Sequence, residues 1–277
     1  NIMEKFVVGF FGDGPWAHQA FDKLIQDSTI QIAFVCARFD ATDLILKQKA
    51  LTHDIPFFIH NDINSEDFFA QVAFSKYDLF VSMSFNQIFK KKLINLPRLK
   101  SINCHAGKLP YYRGRNILNW VLINDESEFG ITVHFMDEKI DTGDILVQTT
   151  LQITDKDDYS TLLSRAYPVC AELLYYAIKG LQQGDMSSTP QSTIDKLGMY
   201  CTARKIGDEK LSWNQTSRDV FNFVRALCKP GPQARTFYGA HEIYLNRVEY
   251  LPNAPKFKGI PGAVLDIENT TLIVKTE

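Results

Sequence analysis

The sequence has 277 residues, of which 45% are hydrophobic and 22% are charged, and its formal net charge at pH 7 is −2. These values are typical of a globular protein with one large and one small domain, and they exclude an overall charge that would attract nucleic acid or an anionic membrane. No apolar run is long enough to cross a bilayer, and the five cysteines show no C-x-x-C spacing. We therefore expect a cytoplasmic protein with reduced thiols, no membrane contact and no metal.

Apolar runs alternate with helical patterns in the first part of the chain. The predicted strands cover residues 5–11, 30–37, 55–59 and 78–83, and the predicted helices cover residues 17–26, 41–53 and 64–75. The strands are apolar on both faces, which is typical of a parallel sheet that is covered by helices on both sides. The alternation predicts an α/β fold with a doubly wound, mostly parallel sheet.

The turn after the first predicted strand carries a glycine pattern. Gly12, Gly14 and Ala17 fit the G-x-G-x-x-G/A dinucleotide fingerprint between a strand and a helix. The acidic residue that should follow about 20 residues later comes late, at Asp40 or Asp43, and nothing downstream resembles a hydride-transfer site. The glycines therefore either let the backbone approach a ligand phosphate or simply form the turn.

Residues 101–147 hold polar side chains at the ends of predicted strands. Asn103 and His105 end a strand-like run, in which residues two apart point to the same face. A second β-rich run, residues 130–136, leads into a turn with several carboxylates, among them Asp141. A histidine on one strand and a carboxylate on a neighbouring loop are the parts of a general base and its orienting partner. Taken singly, each residue could instead be structural, as a cap or in a tight turn.

Four linked motifs in this stretch resemble those of the folate-dependent formyltransferases. They are Asn103-Cys104-His105, Leu109-Pro110-Tyr111-Tyr112-Arg113-Gly114, Gly130-Ile131-Thr132-Val133-His134 and Asp141-Thr142-Gly143-Asp144-Ile145. That family includes methionyl-tRNA formyltransferase, glycinamide ribonucleotide formyltransferase and the amino-sugar N-formyltransferases. The resemblance covers most of the chain and implies a Rossmann-like formyltransferase domain.

The resemblance implies an enzyme that transfers a formyl group from N10-formyltetrahydrofolate to an amine, without a metal. It makes His105 the base and Asn103 the donor to the developing oxyanion, whereas Asp141 holds His105 or an ordered water and favours the charged imidazole. It also implies a folate site whose residues are Gln87, Ile88, Phe89, Arg115, Asp137, Ile140 and Asp141.

The last part of the chain predicts a smaller unit. Residues 160–182 have the apolar spacing of a packing helix, residues 216–228 that of a second helix, and short strand patterns follow at 234–238, 241–245, 247–251, 262–267 and 271–275. Short strands at this spacing predict a small β-rich unit, similar to an open barrel. We therefore predict a catalytic domain over residues 1–184, a linker over residues 185–206 and a C-terminal domain over residues 207–277.

The acceptor amine is predicted from charge and from the resemblance. Residues 205–277 hold ten Lys and Arg against eight Asp and Glu, so this region is not the basic surface that a tRNA requires. Lys108 stands where the tRNA enzymes usually carry an apolar residue. We expect a nucleotide-linked amino sugar, with dTDP as the nucleotide, in the synthesis of O-antigen lipopolysaccharide or another surface glycan. The alternatives are methionyl-tRNA formyltransferase and a folate- or nucleotide-binding module without catalysis.

Candidate substrate-binding residues follow from that expectation. Aromatic rings stack on nucleobases, and cationic side chains meet a pyrophosphate, although burial in a core is the alternative for each of them. The candidates are Gly12, Lys108, Tyr111, Arg113 and Trp213. We also expect a homodimer and no nucleic-acid partner.

Overall fold

The computed structural model describes residues 4–277, and the chain divides into two compact units. The first unit contains the residues up to 114 together with residues 130–151 and 165–200, and the second contains residues 115–129, 152–164 and 201–277. These units differ from the predicted domains, because the predicted linker over residues 185–206 divides at Cys201. Two segments that precede that linker also belong to the second unit.

Thirteen strands, seven α-helices and one short 3₁₀ turn (Gln191–Thr193) make up the regular structure of residues 4–277. The strands are β1 (Phe6–Gly12), β2 (Ile30–Ala37), β3 (Phe57–Ile59), β4 (Leu79–Met83), β5 (Ser101–His105), β6 (Arg113–Gly114), β7 (Glu128–Phe135), β8 (Ile145–Gln152), β9 (Tyr200–Cys201), β10 (Ala234–Tyr238), β11 (His241–Leu245), β12 (Val264–Glu268) and β13 (Thr271–Val274). The helices are α1 (Gly14–Ile25), α2 (Leu44–Thr52), α3 (Glu66–Val72), α4 (Lys91–Ile94), α5 (Ile117–Ile123), α6 (Tyr159–Gln183) and α7 (Ser217–Leu227).

The main sheet has seven strands in the order β3-β2-β1-β4-β5-β7-β8. Strands β1 to β5 pair in parallel, whereas β7 runs antiparallel to β5. The chain crosses from the β2–β3 side of β1 to the β4–β5 side, so the sheet is doubly wound. The predicted α/β class with a mostly parallel sheet is thereby confirmed.

Side-chain caps set where two of the early helices begin. The Asp43 carboxylate accepts a hydrogen bond from the backbone N–H of Leu46 at 3.0 Å, and the Ser65 hydroxyl accepts one from Phe68 at 3.2 Å. A residue that caps a helix has extended backbone, so α2 and α3 start directly after these two residues. This explains why both helices begin two or three residues later than the apolar spacing predicts.

A cluster of phenylalanines forms much of the core of the first unit. The ring of Phe11 is fully buried, and it lies within 6.0 Å, centroid to centroid, of five other phenylalanine rings. These are Phe34, Phe68, Phe80, Phe85 and Phe89. Most of these pairs are edge-to-face, the geometry that aromatic rings prefer. The cluster fixes β1, β2 and β4 relative to α3 and to the loop after β4.

The second unit contains α5, α7 and two hairpins. Helix α5 packs against α7, and the Asn119 amide donates to the Ala226 carbonyl at 2.7 Å. The hairpins β10–β11 and β12–β13 are separate two-stranded sheets, so the predicted β-rich unit is confirmed in this form. Within residues 4–277, the predicted strand over residues 247–251 is not formed. Prolines follow at 252, 255 and 261, and each of them lacks the N–H that a strand ladder needs.

Among the helices of residues 4–277, none combines the length and the apolar character that a membrane crossing requires.

Phe11→Ala removes the central ring of the phenylalanine cluster. We expect the free energy of unfolding to fall by about 3–5 kcal/mol, because a buried phenylalanine leaves a cavity that its neighbours fill only in part. Chemical denaturation followed by tryptophan fluorescence measures this change. Phe39→Ala is the matched control, since Phe39 is 54% exposed, and it should change the stability by no more than about 0.5 kcal/mol. Equal losses in the two variants would show that Phe11 is not the centre of the core.

Candidate active site

Two antiparallel strands bring the polar side chains of the predicted site onto one face of the sheet. In the register of β5 and β7, Asn103 lies opposite His134, and His105 lies opposite Thr132. Directly opposed residues project to the same face, and so do residues two apart on one strand. Asn103, His105 and His134 therefore share a face, as the sequence predicts for the first two.

The imidazole of His105 is buried and held at both ring nitrogens. Its Nε2 lies 2.7 Å from the carbonyl oxygen of Tyr112, and its Nδ1 lies 3.6 Å from Asp141 Oδ2. A carbonyl oxygen can only accept, so Nε2 carries the proton and donates it to Tyr112. In the neutral ring, Nδ1 is therefore the nitrogen with a free lone pair, and it faces the carboxylate that stabilises the imidazolium once a proton arrives.

His134 is held in the opposite tautomer. Its Nδ1 donates to the Phe135 carbonyl oxygen at 2.7 Å, which leaves Nε2 of the neutral ring as an acceptor. Nε2 lies 3.3 Å from Asn103 Nδ2 and 3.5 Å from Asp141 Oδ1. One N–H of the Asn103 amide is thus directed at His134, which fixes the amide plane and leaves the second N–H for a ligand.

Asp141 connects the two histidines. Its backbone has the left-handed φ of 57°, and its carboxylate accepts a hydrogen bond from the Gly114 N–H at 3.0 Å. Burial by itself raises the pKa of the carboxyl group, but the nearby His105 and His134 imidazoles and the Gly114 N–H lower it by more, so the pKa lies well below its usual range. Asp141 is therefore an ionised carboxylate at neutral pH, next to the base candidate.

The turn that carries Asp141 requires a glycine. A Cβ atom at Gly143 would overlap the carbonyl oxygen of Phe135, which is the last residue of β7. The turn is closed by a hydrogen bond from the Phe135 N–H to the Asp144 carbonyl at 2.9 Å. This close approach explains the glycine in the Asp141-Thr142-Gly143-Asp144 motif, because any side chain there would displace Asp141.

Comparison with known proteins identifies the family. Residues 4–178 match the family described as formyl transferase, and residues 205–277 match its C-terminal domain. The chain belongs to the formyl transferase family. The family transfers formyl groups from N10-formyltetrahydrofolate, and this chain is accordingly an enzyme of the one-carbon transferase class. The chain is 34% identical over 220 residues to a methionyl-tRNA formyltransferase from Pelobacter propionicus, an alignment that covers 79% of this chain and 67% of that protein.

Solved structures with the same fold include sugar N-formyltransferases. A 4-N formyltransferase from Francisella tularensis superposes with a TM-score of 0.71 at 20% identity, over 89% of this chain and 99% of that one. An N-formyltransferase from Helicobacter canadensis, in complex with folinic acid and dTDP-3-aminofucose, superposes with a TM-score of 0.60 at 20% identity, over 88% and 96% of the two chains. At this identity the likeness shows a shared fold.

The family resemblance predicts that the loop after β4 makes backbone contacts to folate. Hydrogen bonds of its side chains to residues 60 and 63 hold this loop in place. The Gln87 side chain accepts from the Ile63 N–H and donates to the His60 carbonyl, so only its backbone is free to meet a ligand. Phe89 is buried in the phenylalanine cluster, whereas the Ile88 side chain is 58% exposed. The Ile88 carbonyl accepts from the Asn64 amide at 2.9 Å, so the exposed Ile88 side chain is the part of this residue that could meet a flat ring such as a pterin.

The turn after β7 holds the other predicted folate residues of the first unit. The Asp137 carboxylate accepts from the Thr142 hydroxyl at 2.6 Å and from the Lys139 N–H at 3.0 Å, so it stabilises the turn itself. The Ile140 side chain is 48% exposed. No cluster of three His, Cys, Asp or Glu side chains within residues 4–277 is suited to a metal ion.

The glycine-rich turn uses a backbone N–H to bind the carboxylate of Asp43. The Gly14 N–H donates to Asp43 Oδ2 at 2.8 Å, and the same oxygen lies 2.7 Å from Nε2 of His18. A Cβ atom at Gly12 would lie 2.6 Å from the Cβ of Ala17, so this glycine is required for close packing of β1 on α1. These contacts give the turn a structural role, which is one of the two alternatives that the sequence left open.

The other predicted substrate residues lie in different environments. Lys108 is half-buried, and Tyr111 is exposed with its hydroxyl donating to Asp195 at 3.1 Å. Arg113 is buried and bonded to the chain itself, at Gln191 and Leu197. Two predicted site residues belong to the second unit: Arg115, which is exposed, and Trp213, whose indole N–H donates to Thr236 at 2.9 Å.

Sequence reasoning missed two contributors to the site. His134 was recognised as part of a motif, but its role in orienting Asn103 depends on the register between β5 and β7. Gln191 lies in the predicted linker, and its amide N–H groups bind the carbonyls of Asp141 and Gly143. A buried glutamine in a polar segment gives no local signal, so only the folded chain reveals it.

Asp141 should make the stability of the protein depend on pH in the acid range. Its pKa is lower in the folded protein than in the unfolded chain, where an aspartate has a pKa of about 3.9. As the pH falls below about 4, the unfolded chain takes up a proton that the folded protein does not, so the free energy of unfolding decreases. Each unit of pKa difference corresponds to about 1.4 kcal/mol.

Denaturant unfolding of the wild type and of Asp141→Asn, measured from about pH 7 to about pH 3, tests this expectation. The wild-type curve should fall more steeply towards low pH than that of the variant, which cannot take up this proton. Parallel curves for the two proteins would contradict the assignment of a low pKa to Asp141.

Proposed function

We propose that this formyltransferase uses N10-formyltetrahydrofolate to formylate the amine of a nucleotide-linked amino sugar, with dTDP as the nucleotide. The observation that carries the formyl-transfer chemistry is the arrangement of Asn103, His105 and Asp141 around one buried face of the sheet. The folate donor, when bound, would supply the formyl group: its carbon would bond to the amine nitrogen, its oxygen would gain negative charge, and its bond to N10 of the folate would break as N10 takes up a proton. The residues of the chain have to orient that oxygen, accept a proton and compensate charge.

Each of the three residues has one of these tasks. The free N–H of the Asn103 amide, whose plane is fixed by His134, donates to the formyl oxygen. His105 accepts the proton of the attacking amine at Nδ1, since its Nε2 already carries a proton bound to Tyr112. Asp141, 3.6 Å from that nitrogen, stabilises the imidazolium that results. The carboxylate is fit for this because its low pKa keeps it ionised.

The folate site that we propose lies in the loop after β4 and the turn after β7. Exposed Ile88 and Ile140 provide apolar surface for the pterin, and the backbone of Gln87 and Phe89 provides hydrogen-bonding groups. Asp137 contributes by holding the turn that carries Ile140. These residues follow two different strands of the same sheet. A folate contact from Arg115 stays a prediction of the family motif.

The pairing of the arginines in residues 205–277, together with a net charge of only +2 there, supports a sugar acceptor over a tRNA. Each of the four arginines in residues 205–277 lies 2.7–3.8 Å from a carboxylate oxygen, so their charges are compensated within the unit. They are Arg218, Arg225, Arg235 and Arg247. RNA binding needs cations that are free to replace the counterions of phosphates. The dTDP-3-aminofucose in one structural neighbour also supports this acceptor class.

The second candidate is methionyl-tRNA formylation. The 34% identity to a methionyl-tRNA formyltransferase favours it, because this identity exceeds that to the sugar enzymes of similar fold. The two candidates share the donor and the three catalytic residues, and they differ only in the acceptor. A direct comparison of acceptors therefore separates them.

Asn103→Ala should lower kcat by about 10²–10³, because one preformed donor to the developing oxyanion is lost. His105→Ala should abolish turnover, since it removes the nitrogen that accepts the proton of the amine. The measurement is single-turnover formation of formylated product, with thermal melting to verify the fold. Asn95→Ala, an exposed asparagine after α4, is the control and should keep wild-type turnover. If His105→Ala retained most of the wild-type rate, His105 would not be the base.

The acceptor is tested with a panel of dTDP- and UDP-linked amino sugars together with initiator methionyl-tRNA. We expect one dTDP-amino sugar to gain a single formyl group, detected as the corresponding mass increase, and the tRNA to remain unmodified. Formylation of the tRNA alone, with a rate that falls steeply with salt concentration, would establish the second candidate instead.

A further inference from the structure

The side chain of Gln191 is buried and uses its whole amide group. Its Oε1 lies 3.1 Å from Arg113 Nε and 2.8 Å from Nη2 of the same guanidinium. Its Nε2 lies 2.8 Å from the Asp141 carbonyl oxygen and 2.7 Å from that of Gly143. A guanidinium only donates and a carbonyl only accepts, so the orientation of the amide is determined by its partners. Only 3% of Gln191 is exposed to solvent.

The two carbonyls that Gln191 binds belong to the turn that carries the catalytic carboxylate. Asp141 has a positive φ, and Gly143 lies directly against the Phe135 carbonyl oxygen. A turn with one residue in the left-handed region needs surrounding contacts to hold it, because that conformation is unfavourable for a residue other than glycine. The two N–H groups of Gln191 are such contacts, one on each side of Thr142.

The other partner, Arg113, lies between the two backbone groups that hold the catalytic pair. The carbonyl of Tyr112 accepts from His105, and the N–H of Gly114 donates to the Asp141 carboxylate. Arg113 is thus the middle residue of the segment 112–114, whose two outer residues contact His105 and Asp141. Through Arg113, Gln191 links this segment to the turn of Asp141.

The segment around Gln191 is itself fixed to the first unit. Thr189 exchanges two backbone hydrogen bonds with Ile145, each of 2.8 Å. The Met199 N–H donates to the Pro110 carbonyl at 3.1 Å, and the Arg113 N–H donates to the Met199 carbonyl at 3.0 Å. Gln191 is therefore supported at both ends of its segment and can act as a rigid support.

We propose that Gln191 is a positioning residue for catalysis, which with Arg113 sets the place of the Asp141 carboxylate relative to the His105 and His134 imidazoles. The inference rests on the proposed formyl transfer for its effect on rate. It assigns a function to a residue outside the four sequence motifs, and it gives the buried Arg113 a role within the protein in place of substrate binding.

The test uses two variants that remove the N–H donors of Gln191 in different ways. Gln191→Glu keeps an acceptor for Arg113 but sets a carboxylate oxygen against two carbonyl oxygens. Gln191→Met keeps a similar volume without any polar group. Thr193→Ala is the matched control, because Thr193 lies in the same short turn and is exposed, with its hydroxyl donating to the Pro190 carbonyl. Thermal melting verifies that each variant folds.

Two measurements, kcat and the imidazole nitrogen signals, separate a role of Gln191 in positioning Asp141 from a role only in the stability of the protein. We expect kcat of both Gln191 variants to fall by about 10²-fold with KM for donor and acceptor nearly unchanged, because a small displacement of a catalytic group has an effect of this size. We also expect the ring-nitrogen signals of His105 and His134, in long-range ¹H–¹⁵N correlation spectra, to shift in both variants. Thr193→Ala should match the wild type in both measurements.

The proposal is overturned if both folded variants keep kcat within about twofold of the wild type, or if their imidazole signals coincide with those of the wild type. Failure of both variants to fold would also overturn it, since Gln191 would then be a residue for folding alone. If the wild type formylates no acceptor, the proposed function fails, but the imidazole spectra still decide whether Gln191 positions Asp141.

Discussion

The Asp141 carboxylate, whose side chain is only 10% exposed, is the group on which the rest of the site depends. An ionised carboxylate away from water is stable only when nearby cations and hydrogen-bond donors compensate its charge. Here the Gly114 N–H donates to it at 3.0 Å, and His105 on β5 and His134 on β7, 3.6 and 3.5 Å away, compensate its charge in their imidazolium form. Three separate parts of the chain must therefore arrive together before Asp141 can be buried in its ionised form, which makes the site and the fold of this region one cooperative structure.

The two histidines beside Asp141 are distinguished by their backbone partners. His105 donates from Nε2 to Tyr112, whereas His134 donates from Nδ1 to Phe135. In each neutral ring the remaining nitrogen faces the carboxylate, but only that of His134 also meets the Asn103 amide. In the mechanism that we propose, this difference divides the tasks: His105 exchanges a proton, and His134 orients the Asn103 amide. The same residue type serves both because the tautomer, and not the ring, determines what it can do.

The acceptor is determined by features outside this group. The catalytic residues that we propose suit any amine that can reach a formyl donor, so they are common to the sugar and tRNA candidates. What differs is the surface offered to the rest of the acceptor, where the arginines of residues 205–277 are paired with carboxylates and the net charge is only +2.

The sequence by itself determined the α/β class and the family, because hydrophobic periodicity and motif spacing are local and need no coordinates. The catalytic roles of Asn103, His105 and Asp141 stay predictions of its motifs. It predicted helix starts less well, since the caps at Asp43 and Ser65 decide them, and it predicted a strand over residues 247–251, next to prolines that oppose one. Only the tertiary structure decided the histidine tautomers, the ionised state of Asp141 and the part played by Gln191. Gln191 lies 50 residues from Asp141 in the chain. Its role depends on the carbonyls of Asp141 and Gly143 and the Arg113 guanidinium all lying within hydrogen-bond distance of its buried amide. Such contacts arise from the packing of distant segments, which no local pattern records.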